Sequence, residues 1–172
     1  LMDLHNGIHQ AVGGTDVDLS DFMIDDGFHL NGTGEVARRY ALGGAELRPF
    51  AEVQAGVETL ARVGFDARFG GYDAEALLVR DPITGQRGVA VPGDDAARWS
   101  RAVGADIAYV AESVLLPDDG PQAEDMRYRL RAGVDGFVGV ADLFYGITYL
   151  SEEFEGQGEG QLVGSFSLRV QF

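Results

Sequence analysis

The sequence predicts an all-β protein, an antiparallel β-barrel with its apolar side against a bilayer and its polar side enclosed. Three observations lead there. From Phe28 onward apolar and polar residues alternate at period two, and the apolar positions hold many Ala, Gly, Tyr and Phe rather than the Val, Ile and Leu of a dry core. The alternating runs extend over roughly ten to sixteen residues, longer than the usual strand of about five to six but suited to a tilted span of about 9–11. The chain also ends in Phe172, with an apolar residue at every second position before it. Such a terminal aromatic strand is what outer-membrane barrels present to their insertion machinery. Alternation alone favours a soluble sandwich, the commoner fold, and these features together reverse that in favour of the membrane reading. Lipid offers no water to an open sheet edge, so spanning strands must close on themselves.

Composition removes several other classes. There are 28 Asp and Glu against 13 Lys and Arg, a formal charge of −15. A nucleic-acid partner is therefore not expected, because phosphate neutralisation needs clustered basic residues. With no cysteine, disulfide scaffolds and zinc-thiolate sites are excluded. No run approaches the ~18 apolar residues of a spanning helix. The chain starts at Leu1 with no charged-then-apolar leader, which reads as the interior of a longer protein.

Residues 1–14 form the single predicted helix: Leu1, Leu4, Ile8 and Val12 fall on one face, and Gly13-Gly14 stop it. An acidic loop covers 15–27, with Asp16, Asp18, Asp21, Asp25 and Asp26. Strands and loops fill 28–172. The first strand carries Phe28, Leu30, Val36 and Tyr40, with His29 on its polar side, and Gly43-Gly44 turns the chain. Residues 46–71 keep one parity throughout, so parity leaves open whether they form one long strand or a hairpin turning near 57–60. Returning Phe172 to the periplasmic side favours the hairpin. The segment 72–98, with a turn at 81–85 between Leu77–Val79 and Val89–Val91, then falls on the periplasmic face as an unusually long connection. Further strands follow around Ile107, Tyr128, Tyr145 and Phe166, about seven in all.

The polar side is charged. Arg127, Arg129 and Arg131 project inward from one strand, where Glu35, Glu52, Glu58, Asp106, Glu112 and Asp135 can meet them. Enclosed charges require partners of opposite sign. A plugged, ion-paired lumen is expected rather than an open pore.

The segment Tyr149-Leu-Ser-Glu-Glu-Phe-Glu-Gly-Gln157, followed by Gly164-Ser-Phe-Ser-Leu-Arg-Val-Gln-Phe172, resembles the C-terminus of the outer-membrane lipid A 3′-O-deacylase family. Val110-Ala-Glu-Ser-Val-Leu-Leu resembles that family's strand before a long acidic loop. His5-Asn-Gly-Ile-His9-Gln-Ala-Val-Gly-Gly14 resembles the extracellular helix that carries its active-site histidine. The resemblance implies a barrel of about twelve strands, of which this chain holds the C-terminal portion. It also implies lipid A or lipopolysaccharide as partner, residence in the bacterial outer membrane, and calcium as cofactor. The family's N-terminal site residues have no counterpart in these 172 residues, so this portion alone is expected to be inactive.

Ester hydrolysis needs a proton acceptor tuned near neutral pH and stabilisation of the oxyanion. Histidine suits the acceptor role. His9 matches the family's histidine and is assigned as general base; His5 stands where the family has glutamine. Without the resemblance, a helix-capping or contact role is the commoner reading of His9. His5 and His9 lie one helical turn apart, as a zinc pair would, but no third ligand stands at a diagnostic spacing. Asp16 and Asp18 are candidate calcium ligands, since calcium takes oxygen donors. Glu153 and Gln157 fall at the outer rim, as site-rim residues or as turn formers. The rivals are a non-catalytic barrel, either pore or structural, and a soluble acidic β-domain.

Overall fold

In the computed structural model, described for residues 28–93, 99–116, 121–138 and 141–170, ten strands account for the regular structure. They are β1 (Gly32–Ala37), β2 (Tyr40–Ala41), β3 (Ala45–Ala55), β4 (Glu58–Gly70), β5 (Leu77–Arg80), β6 (Arg87–Val91), β7 (Ser100–Ser113), β8 (Met126–Val138), β9 (Ala141–Leu150) and β10 (Gln161–Val170). The expected helix 1–14, the acidic loop 15–27 and Phe172 lie outside the described residues.

Seven strands make one antiparallel path in the order β1-β3-β4-β7-β8-β9-β10, and the short β2 pairs with β3. Residues 46–71 therefore form a hairpin. Gly56 sits at its turn with φ of 137°, a conformation that only glycine adopts freely. The first strand is shorter than its pattern suggests: pairing starts at Gly32, past His29, and lapses at Arg38-Arg39 before β2. Among the described residues the sheet does not close, and β1 and β10 are its two edges.

The alternation sorts side chains in the sense opposite to a soluble core. Phe166 is 70% exposed, Tyr128 45% and Ile107 44%, whereas Asp106 and Arg131 are each only 5% exposed. Val63, Ile107 and Tyr128 stand side by side across β4, β7 and β8 on the outward face. One step along the ladder, Asp106 lies opposite Arg129 on the inward face. A surface that is greasy outside and charged inside suits a sheet surrounded by hydrocarbon. Replacing Ile107, near the middle of β7, with Arg is expected to destabilise the protein reconstituted in lipid by about 2–4 kcal/mol. Urea unfolding of the full-length protein in lipid vesicles measures this.

The described part of the 72–98 segment, 72–93, departs from expectation. It does not stay at the barrel's end: β5 and β6 form a separate two-stranded hairpin, and it lies against the inward face of the large sheet. At one edge Arg80 pairs with Glu35 of β1 at 2.7 Å. At the other, Arg169 of β10 donates to the carbonyl of Val89. In a flat sheet β1 and β10 would be separated by six strand spacings of about 4.8 Å, roughly 29 Å. A hairpin that touches both edges requires the sheet to curl around it.

Candidate functional site: the charged interior and the outer rim

Two carboxylates organise the interior. Asp106 on β7 meets Arg62 Nε at 3.2 Å and Arg129 Nε at 3.0 Å, and it also pairs with Arg131. Asp66 on β4 meets Arg131 at 2.6 Å, Arg80 at 3.0 Å and Arg87 at 2.7 Å. Arg131 therefore joins the two clusters. Its reach depends on Gly104, which faces it across the β7–β8 ladder. A Cβ there would lie 2.5 Å from Arg131 Nε and 2.7 Å from Asp66 Oδ1. Arg62 also pairs with Glu52, and Arg127 with Glu58 at 2.8 Å. Lower down, Asp135 accepts from Arg68 at 3.1 Å and from Ser100 at 2.7 Å.

Glu112 does not join this network. It is exposed, because the β4–β7 register slips between Thr59 and Leu60, inserting one extra residue on β7. One inserted residue exchanges the faces of those beyond it, so parity counted from Ile107 fails there.

Arg80, Arg87 and Asp66 are the interior residues whose pairing the sequence does not reveal. Arg87, carried by the hairpin, is held above its ordinary guanidinium value: burial works to lower it, and the carboxylates of Glu35 and Asp66 outweigh burial. Arg80 also stacks over Phe50, its guanidinium carbon 3.6 Å from the ring centre. Gln86 Nε2 reaches Ala132 O, Ile147 O and Thr148 Oγ1 at 3.1–3.2 Å. At the tip Arg129 Nη1 donates to the carbonyls of Pro82 and Ile83, each at 3.0 Å.

The base of the hairpin hangs on Asp73, which is buried. Its carboxylate accepts from the backbone N–H groups of Glu75 at 2.9 Å, Ala76 at 3.1 Å and Gly93 at 2.6 Å. Asp73→Ala strips three donors of their acceptor and is expected to cost about 1–3 kcal/mol. Amide hydrogen exchange would read this as faster exchange in 73–93 with the β7–β9 ladders unchanged.

At the opposite end a cavity of about 390 Å³ lies between the hairpin tip and the strand ends, lined by Glu58, Arg62, Ile83, Arg127, Ser151 and Glu153. Glu153 donates its backbone N–H to Gln157 Oε1 at 2.7 Å, while Gln157 Nε2 donates to Glu159 O at 3.1 Å. Gln157 thus holds the 151–160 turn, and Glu153 faces the cavity. His29 is exposed before β1. His5, His9, Asp16 and Asp18 lie outside the described residues.

Among the described residues, no group of three or more His, Asp or Glu able to hold a metal is brought together. Glu35, Glu52, Asp66 and Asp106 already spend their oxygens on guanidiniums.

No protein-family model and no curated protein sequence matches this chain. Among solved structures, LpxR from Salmonella typhimurium superposes with a TM-score of 0.66 at 11% identity, covering 99% of this chain. The chain spans 62% of the length of that protein. With its apolar outer face and charged, occupied interior, this chain has an LpxR-like, all-β antiparallel barrel fold.

Proposed function

We propose that this chain is the C-terminal part of a single outer-membrane barrel that removes an ester-linked acyl chain from lipid A. The LpxR-like fold over 99% of the chain carries this reading. It is supported by the His5–Gly14 segment, which resembles the family's histidine-bearing helix, and by the matched segments at 149–157 and 164–172.

In this reaction water adds to the ester carbonyl carbon and gives its proton to His9. The tetrahedral oxyanion then collapses, and the sugar oxygen leaves as a free hydroxyl with the proton that His9 returns to it. Fatty acid and a lipid A shortened by one acyl group are the products. Residues upstream of Leu1 in the full protein complete the site. Calcium, when bound, would supply positive charge for the oxyanion; Asp16 and Asp18 are its candidate ligands by sequence, and no step above depends on it. His5, four residues before His9, is the position where this chain departs from the family's pattern. Glu153 and Gln157 belong to the rim on the same side as the expected helix, with Gln157 shaping the turn.

Mass spectrometry of lipid A from cells expressing the full-length protein tests the reading. The expected result is a species lighter by one ester-linked acyl group. Unchanged lipid A in cells that carry heat-modifiable protein in their outer membrane would refute the activity and leave the barrel intact.

A further inference from the structure

We propose that the Leu77–Val91 hairpin is a permeability plug, entering the lumen from the periplasmic end and sealing it below the outer cavity. This goes beyond hydrolysis and rests on the barrel reading alone.

The wall is built to receive it. Among the inward positions that the hairpin packs against, Ala102 and Gly146 are small, and Gly104 and Gly133 give room to the wall's own Arg131 and Phe144 beside it. A Cβ at Gly146 would come within 2.8 Å of Gln86 Nε2, so that glycine makes room for the hairpin side chain. Barrels of eight strands are filled by their own side chains, while those of about sixteen leave an aqueous channel. A wall of intermediate size leaves space that its own charged side chains do not fill, and here a second piece of backbone occupies it, with Gly146 giving way to Gln86.

The hairpin is also anchored around the wall. Arg80 and Arg87 bind carboxylates of β1 and β4, Gln86 reaches β8 and β9, Arg129 clasps the tip, and Arg169 of β10 holds Val89. Its depth follows from the ladder. The base leaves beside Gly70 and Ser100, and the tip meets Arg129, opposite Asp106. Six residues of strand separate those levels, about 20 Å along the strand at roughly 3.3 Å per residue, or about 15 Å along the axis of a barrel whose strands tilt by about 40°. A charged, doubly tethered obstruction of that depth bars hydrated solutes.

The test uses the full-length protein in liposomes and in cells. Wild-type protein is expected to leave liposomes unresponsive to arabinose, whereas a variant with 77–91 replaced by a Gly-Ser linker makes them swell. Heat-modifiable migration shows that each is a closed barrel. Swelling with wild type, or a heat-modifiable linker variant that stays silent, overturns the plug. Thiol labelling gives a second readout that needs no deletion, since the 172 residues contain no cysteine. With a membrane-impermeant maleimide on intact cells, Ile83→Cys at the tip is expected to label, and Glu75→Cys at the base to label only after the outer membrane is permeabilised. Equal labelling of both in intact cells overturns the seal. Protein that never shows heat-modifiable migration would instead overturn the barrel reading itself.

Discussion

Asp106→Ala is expected to destabilise the protein more than any other single change in the interior, by about 3–5 kcal/mol, the usual consequence of removing one partner from a buried charge cluster. Three guanidiniums converge on this carboxylate. After its removal Arg131 keeps Asp66, and Arg62 keeps Glu52. Arg129 loses the carboxylate it pairs with, while its side chain remains buried beside the hairpin tip. The cost is therefore concentrated on one stranded cation, and a second substitution should recover much of it. Arg129→Met in the Asp106→Ala background is expected to be more stable than Asp106→Ala alone, since removing both members of a buried pair is far milder than removing one. Urea midpoints of the full chain in vesicles, taken as a double-mutant cycle, measure both effects. Additive losses would show that the two residues do not act as a unit.

His9→Ala is the corresponding test on the chemical side. A positioned general base contributes typically about 10²–10⁴-fold, so the full-length variant should fall by about that factor in deacylation while its heat-modifiable band is retained. His9→Gln preserves size and polarity without the titrating group and should fare no better. The pH profile adds a readout that a helix-capping role would not move: a rising limb near the imidazole pKa of about 6.5 should vanish in the variants. Loss of the acyl group by both wild type and variant would remove the assignment of His9.

Much of the wall was legible because a β-ladder is a local code. Alternation around Ile107, Tyr128 and Phe166 gave the outward face directly, and the inward arginines 127, 129 and 131 followed from the same parity. The carboxylates that meet them could be named only as a set, because parity assigns a face and not a partner. Arg131 pairs with Asp66 and Asp106, not with every acid of the inner face. The slip at Thr59 and Leu60 defeated the assignment of Glu112, since an inserted residue leaves no trace in the composition of a strand. The hairpin was legible as two short apolar stretches around a turn, but its destination was not. Arg80 and Arg87 meet acids on β1 and β4 that no spacing rule connects to them, and only the curl of the sheet brings them together. In the 151–160 loop, Gln157 accepts from Glu153 N–H and donates to Glu159 O, the turn-forming contacts that its loop setting allowed for.

The filling leaves the wall between β4 and β7, and those two strands are direct neighbours. An ordinary four-residue turn could connect them without altering the order of any other strand. What fills this protein is thus an insertion at one seam of the wall, and any replacement has to leave Glu35, Asp66 and Arg129 with partners. For an engineer this seam is the natural place to graft a foreign segment and give the scaffold a new inner lining.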